Sequence, residues 1–167
     1  MKMSALMRLT TGIVMATLMC LGGVVTAMAD DSLILVGNKA SLECARSFTD
    51  FLVSLDIPVK EVCARDFEKY KSEKYIIILG GSQKESEGLG DVIRRLLTKE
   101  DLEWITESGN RKMYIQHDVF GQGQFIVVFA GSDIEAAARC RKGNREKWQG
   151  LISQWFEIDS PQRLMQY

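Results

Sequence analysis

The chain contains one histidine, His117, and four cysteines, which are the side chains best suited to nucleophilic or metal chemistry. A Ser–His or Cys–His pair would have to use His117, yet this residue lies in a stretch of alternating apolar and polar residues that is typical of a strand. No G-x-S-x-G turn is present to carry a serine nucleophile. We therefore assign His117 a structural role and predict no catalytic residue.

Spacing also argues against a cofactor or a metal. Gly88-Leu89-Gly90 precedes a predicted helix, but the third glycine of a dinucleotide fingerprint and the Lys-Ser pair of a P-loop are absent. Cys44, Cys63 and Cys140 show no C-x-x-C spacing, and no D-x-D-x-D-G calcium loop occurs. We expect no cofactor and no metal site, while paired carboxylates brought together by the fold remain open as an alternative.

The beginning of the chain has the organisation of an export signal. A basic start precedes an apolar run from Gly12 to Val25, and Ala27-Met28-Ala29 supplies a cleavage site. The run is shorter than the roughly 20 apolar residues that cross a bilayer. Met19 before Cys20 is too large for a lipidation signal. We predict that residues 1–29 are a cleaved signal peptide and that the protein is extracytoplasmic, secreted or periplasmic, meeting the membrane only during export.

The balance of charge excludes one class of partner. The chain has 21 Lys and Arg residues against 22 Asp and Glu residues, which gives a net charge of −1. Nucleic acids and anionic lipids reward clustered basic residues, and no such cluster is visible. We therefore expect no nucleic-acid partner.

The apolar pattern predicts an α/β fold. Three continuous apolar runs end at glycine and read as central parallel strands buried on both faces. They are Leu33–Gly37, Tyr75–Gly81 and Phe125–Gly131. Val59–Val62 reads as a short further strand, and the alternating residues 112–120 as a half-exposed strand that meets the third run in an antiparallel hairpin across Gly121–Gly123.

Helical spacing fills the intervals between these strands. The first predicted helix begins at Ser41 and ends near Asp56, and Thr98 with Asp101 forms a cap for another. The last helical region starts at Asp133 and is interrupted at Gly143. The prediction is a three-layer α/β sandwich with a mixed, mostly parallel sheet of about five strands and a β-hairpin in the C-terminal half. It forms a single domain over residues 30–159, followed by a frayed tail at 160–167.

The predicted extracytoplasmic location is one in which disulfides between cysteines persist. Helix one leaves the carboxyl end of strand one, and strand two runs parallel to strand one, so Cys44 and Cys63 are expected at the same edge of the sheet. We predict a disulfide between Cys44 and Cys63, with Cys140 as a free and mostly buried thiol.

Two surfaces are candidates for binding. Parallel sheets bind ligands at the carboxyl ends of their strands, so the polar, glycine-rich loop after the second apolar run is the expected place for a ligand or partner. Its candidate residues are Gly80, Gly81, Ser82, Gly88 and Gly90. Trp148 and Trp155 lie on one helical face, and that face is a candidate partner surface if the domain does not bury it.

Four segments carry a resemblance to a known group of proteins. They are Tyr75–Gly90, Leu96–Glu100, Phe125–Ser132 and Asn144–Trp148. The chain resembles the α/β modules of archaeal surface-layer (S-layer) and related exported envelope proteins, in which a strand ending in Leu-Gly-Gly precedes a glycine-rich loop and a later strand ending in Ala-Gly precedes a charged helix. It departs from them at Ser82, where the modules usually have proline, and at Gly143. The resemblance implies a non-enzymatic envelope module.

These observations leave two hypotheses of function. The first is a non-catalytic, exported envelope or surface-layer-associated interaction module, whose partner is another envelope protein or a further copy of itself. The second is an extracytoplasmic small-ligand-binding protein or hydrolase that uses the loops at the strand carboxyl ends. A concave pocket with converging polar groups near Gly80–Gly90 favours the second, and a filled surface favours the first.

Overall fold

The computed structural model describes residues 31–81 and 89–158. The predicted signal peptide (1–29), the tail (160–167), Ser82 and Gly88 lie outside the described residues. None of the helices in the described ranges has the length and apolar character needed to span a bilayer.

The described residues form one five-stranded sheet, which confirms the predicted α/β class. The strands are β1 (Leu33–Gly37), β2 (Val59–Cys63), β3 (Tyr75–Gly81), β4 (Arg111–His117) and β5 (Phe125–Gly131). Their order across the sheet is β2-β1-β3-β5-β4. The first four strands in that order run parallel, and β4 pairs antiparallel with β5, as the predicted hairpin requires.

Helices cover both faces of this sheet. They are α1 (Lys39–Cys44), α2 (Arg46–Ser54), α3 (Leu89–Leu96), α4 (Lys99–Thr106), α5 (Ile134–Gly143) and α6 (Arg145–Trp155), together with a 3₁₀ helix at Ala64–Lys69 that the sequence analysis did not predict. Thr98 caps α4 by accepting a hydrogen bond from the Asp101 backbone N–H at 3.1 Å, as predicted. Asn144 separates α5 from α6 directly after Gly143, where the interruption was expected.

Two hydrophobic cores lie on opposite faces of the sheet. Alternate residues of each central strand point to alternate cores: Leu33 and Leu35 join α2, α5 and α6, whereas Ile34 and Val36 join the 3₁₀ helix, α3 and α4. All four side chains are buried. The continuous apolar runs therefore exist because both faces of the central strands are covered.

The first helix is divided, which the sequence analysis did not predict. The Asn38 side chain, and not Ser41, caps α1, because its Oδ1 accepts a hydrogen bond from the Ser41 backbone N–H at 2.7 Å. Ala45 then leaves helical geometry with φ −95° and ψ 3°, and α2 begins at Arg46. The consequence is that Ser41 lies inside the first turn, where it is buried.

Strand β4 also differs from its predicted packing. Ile115 was expected on the packed face, yet 42% of it is exposed, and His117 is exposed with its ring edge-on to Phe125 at 4.7 Å between centroids. Hydrogen bonds from the other face explain the difference: Tyr114 Oη donates to Asp101 Oδ1 at 3.0 Å, and Gln116 Nε2 donates to the Leu96 carbonyl. Polar side chains thus hold this edge strand to α3 and α4.

Helix α5 approaches β5 so closely that only glycine fits at the end of that strand. A Cβ on Gly131 would lie 2.5 Å from the backbone nitrogen of Ala137 and 2.7 Å from the carbonyl carbon of Ala136. These atoms are backbone and cannot rotate away. By contrast, a Cβ on Gly143, at the end of the same helix, would meet nothing within 4 Å.

This pair of glycines gives the first prediction. Gly131→Ala should lower the free energy of unfolding by about 1–3 kcal/mol, because α5 must shift to relieve the overlap. Gly143→Ala should leave stability unchanged or raise it by up to about 1 kcal/mol, since alanine restricts the unfolded chain. Urea denaturation measures both. Equal effects at the two positions would show that the close approach at Gly131 does not constrain the fold.

Candidate functional site

The direction of the chain reverses between two central strands. From β1 the chain continues to β2 on one side, whereas from β3 it continues toward β5 and β4 on the other. The helices that follow also leave to opposite faces, with α2 in one core and α3 in the other. Such a reversal opens a crevice at the carboxyl ends of the two strands, which is the usual ligand position in α/β sheets.

A crevice is present at this point, between α1 and α5. It is lined by Ser41, Cys44, Ala45, Leu79, Gly80, Ile134, Ala137, Ala138 and Arg141. Its free volume is about 20 Å³. That space holds a group about the size of a water molecule and is far smaller than a metabolite pocket.

Ser41 supplies a buried hydroxyl to the crevice. Only 4% of the residue is exposed, and its Oγ has no hydrogen-bond partner among the described residues. The Oγ lies 3.6 Å from the place where a Cβ on Gly80 would stand. A buried hydroxyl without a partner is unfavourable by roughly 1–3 kcal/mol, so this atom is where an occupant of the crevice would gain most.

Arg141 supplies the positive charge. It is 2% exposed, and its guanidinium carbon lies 4.8 Å from the centre of the Phe48 ring, a cation–π contact. The backbone carbonyl of Arg141 accepts a hydrogen bond from Trp148 Nε1 at 2.9 Å, which ties α5 to α6 at the same residue. The guanidinium therefore packs on an aromatic ring of α2, and the backbone of the same residue is bonded to α6.

Three residues of the predicted glycine loop are among the described residues. Gly80 lines the crevice, Gly81 ends β3, and Gly90 lies in α3. Gly80 has φ +152°, and a Cβ there would lie 1.9 Å from Leu89 Cδ2. The Leu89 side chain therefore packs directly against Gly80 at the end of β3.

The arrangement separates the possible nucleophiles from the possible base. Ser41 and Cys44 lie at the carboxyl edge of the parallel strands. His117 pairs with Phe125, the first residue of β5, and so lies at the amino-terminal end of that strand, which is the opposite end of the sheet. Within residues 31–81 and 89–158, no three His, Cys, Asp or Glu side chains are close enough together to hold a metal ion. The described residues of the crevice are thus suited to binding a small group.

The structure does not contain the predicted disulfide, and Cys44, Cys63 and Cys140 are all free thiols. Cys44 faces the crevice, on the side of α1 that packs toward α5. Cys63 lines a shallow depression together with Leu42 and Glu43, on another side of the same helix. Both cysteines are at the expected edge of the sheet, but in this structure α1 presents them to different surfaces.

Cys140 is the buried member of the three thiols. Burial raises its pKa to about 11, and the nearby positive charge of Arg111 only partly opposes this effect. Because the thiolate is the reactive form, Cys140 is chemically quiet near neutral pH.

The two tryptophans proposed as a partner face belong to the core, and that prediction is corrected. Trp148 is buried with its ring 5.0 Å from Phe48 between centroids, and Trp155 is buried and stacks on Tyr75 at 5.1 Å. Amphipathic helix α6 packs these rings onto the sheet, as large aromatic residues of small domains commonly do. Trp104 is the tryptophan that stays exposed.

Ser41 and Arg141 were not among the site residues predicted from the sequence. Arg141 follows Ala137 at helical spacing, and Ser41 precedes Ala45 at the same spacing, so each continues a buried stripe of small residues. A charged or hydroxyl residue in phase with such a stripe was the available signal.

Comparisons of the chain with protein-family models, with curated proteins and with solved structures gave no match.

The thiol environments give the second prediction. In native protein at about pH 8, iodoacetamide should modify exposed Cys44 at least about 100-fold faster than Cys140, because Cys140 is buried and carries little thiolate. Peptide mapping by mass spectrometry follows both sites, and urea-unfolded protein is the control in which both react. Rapid modification of native Cys140 would contradict its burial, and a peptide linking Cys44 to Cys63 in unreduced protein would restore the disulfide prediction.

Proposed function

We propose that this chain is a non-catalytic, extracytoplasmic envelope module that assembles with further copies of itself through the edge strand β4. The observation that carries the proposal is that β4 is the outermost strand of the sheet formed by the described residues, with Ile115 exposed upon it. The predicted export signal and the resemblance to surface-layer modules support an envelope location.

The edge of β4 has free capacity for another strand. All seven residues from Arg111 to His117 pair with β5 on one side, and β4 is the last strand of the sheet formed by the described residues. An edge strand presents a row of backbone N–H and C=O groups that a further strand can pair with. Ile115 adds an exposed apolar side chain to this edge strand.

The charges along β4 favour an antiparallel copy of the same strand. Arg111 and Lys112 begin the strand, and Asp118 follows its last residue. Two antiparallel copies place the basic start of one strand beside the acidic end of the other, and opposite charges on neighbouring strands are stabilising. The two-fold relation also brings Ile115 of both copies to the same face of the joined sheet.

The crevice favours this function over hydrolysis or metabolite binding. Its free volume of about 20 Å³ leaves no room for a substrate of ordinary size. The single histidine, His117, lies at the opposite end of the strands from Ser41 and Cys44.

The third prediction tests assembly. The full chain should sediment as a self-associating species with a dissociation constant on the order of micromolar, and Ile115→Lys should raise that constant about tenfold or more by placing a charge at the joined edge. Val53→Lys is the matched control, because Val53 is 55% exposed on α2 and lies away from β4. A monomeric wild-type chain at high concentration, or equal effects of the two variants, would refute assembly through β4.

The fourth prediction tests location. Fractionation of cells that make the full chain should recover it with the envelope or outside the cell, with an N-terminus at or near Asp30 and no lipid on Cys20. N-terminal sequencing and intact-mass measurement decide this. Recovery in the cytoplasm with Met1 retained would contradict an envelope function.

A further inference from the structure

We propose that the depression between α1 and β2 binds small anionic disulfides, and that Cys63 in its wall exchanges with them to form a mixed disulfide. This inference goes beyond the proposed function and does not depend on it, because β2 and β4 are the two outer strands of the sheet formed by the described residues. A reaction at Cys63 and assembly through β4 can therefore fail independently.

The depression has the size of a small-molecule site. Its volume is about 470 Å³, within the roughly 300–1,000 Å³ that is usual for such sites. One wall is helical, over residues 39–46, and the other is β2 with the residues that follow it. The Thr49 hydroxyl donates a hydrogen bond to Glu61 Oε1 at 2.9 Å and so links α2 to β2. The lining residues are Lys39, Leu42, Glu43, Arg46, Glu61, Cys63 and Arg65.

Cys63 supplies a thiol that an occupant of the depression can reach. It is the last residue of β2, it is half-buried, and its thiol is free. The other two described cysteines do not line this depression, since Cys140 is buried and Cys44 faces the crevice on another side of α1. A reagent that binds in the depression is therefore delivered to Cys63.

The charges of the lining favour an anion. Three cationic side chains, Lys39, Arg46 and Arg65, line the depression with two carboxylates, which gives the lining a net charge of +1. Among the described residues, neither Lys39 nor Arg46 takes part in an ion pair, and Arg65 approaches Asp66 at 3.8 Å. A cleft with an excess of one sign concentrates ligands of the opposite charge.

The two carboxylates of the lining, Glu43 and Glu61, refine the class of ligand. They offer a place for an ammonium group beside the three cations. A ligand with several carboxylates and fewer ammonium groups, such as a peptide disulfide, therefore matches the lining better than a simple anion does.

The exchange requires only the thiol, the disulfide and water. The Cys63 thiol loses its proton to water, and the thiolate attacks one sulfur of the ligand. A bond forms between Cys63 Sγ and that sulfur, while the S–S bond of the ligand breaks and its departing sulfur keeps the electron pair and takes a proton from water. Cys63 is oxidised and the departing half of the ligand is reduced.

Rates of mixed-disulfide formation test the proposal in the full chain. Oxidised glutathione is the anionic reagent and cystamine the cationic one, and peptide mapping by mass spectrometry assigns each adduct to its cysteine. Each rate constant at Cys63 is divided by that of the same residue in urea-unfolded protein, which removes the intrinsic difference between the reagents. At about pH 8 and low ionic strength, the normalised rate should be about fivefold or more higher for glutathione, and about 0.5 M salt should reduce this preference to about twofold or less.

A charge reversal identifies the groups responsible. Arg46→Glu should lower the preference for glutathione about threefold or more, because it replaces attraction by repulsion in the lining. The matched control is Arg94→Glu, because Arg94 is also exposed but lies on α3, which packs on the opposite face of the sheet from α2; this variant should keep the wild-type preference. The proposal fails if folded protein forms no mixed disulfide at Cys63, if the two reagents react equally after normalisation, or if both variants change the preference equally.

Discussion

The close contact between Gly131 and the first turn of α5 is the constraint on which the rest of the structure depends. Because the Ala136 and Ala137 backbone occupies the space of a side chain at Gly131, α5 lies directly on the end of β5. From there its buried face carries Cys140 and Arg141 across the sheet toward α1. Without this approach the wall of the crevice formed by α5 would stand farther from Ser41.

The same helix fixes the aromatic core. Trp148 donates its indole N–H to the Arg141 carbonyl and packs against Phe48, the ring that also contacts the guanidinium of Arg141. One arginine therefore takes part in the helix junction, the core and the crevice. The face of the Phe48 ring offsets part of the cost of burying this charge.

Much of the fold was predictable because the central strands are covered on both faces. Their unalternating apolar runs, the glycines that end them and the Thr98 cap are local patterns with one structural meaning, and the sheet confirms them. The packing of β4 was not predictable from Ile115 and His117, since hydrogen bonds from Tyr114 and Gln116 to distant residues decide it. A crevice lies at the strand ends, and Ser41 and Arg141 come together there only through the packing of α1 against α5.

The position of β5 between β3 and β4 has a consequence for how the protein folds. The β4–β5 hairpin closes across a short turn, whereas β3 pairs Tyr75 with Phe125, residues that are far apart in the chain. Local pairing has the smaller loop-closure cost and is the faster event. If the hairpin forms first, the apolar strand β5 stays uncovered on one side until β3 pairs with it. The hairpin then has two unpaired edges, one on β5 and one on β4, and pairing with β3 removes the first of them. The folding chain therefore passes through the state most prone to premature association.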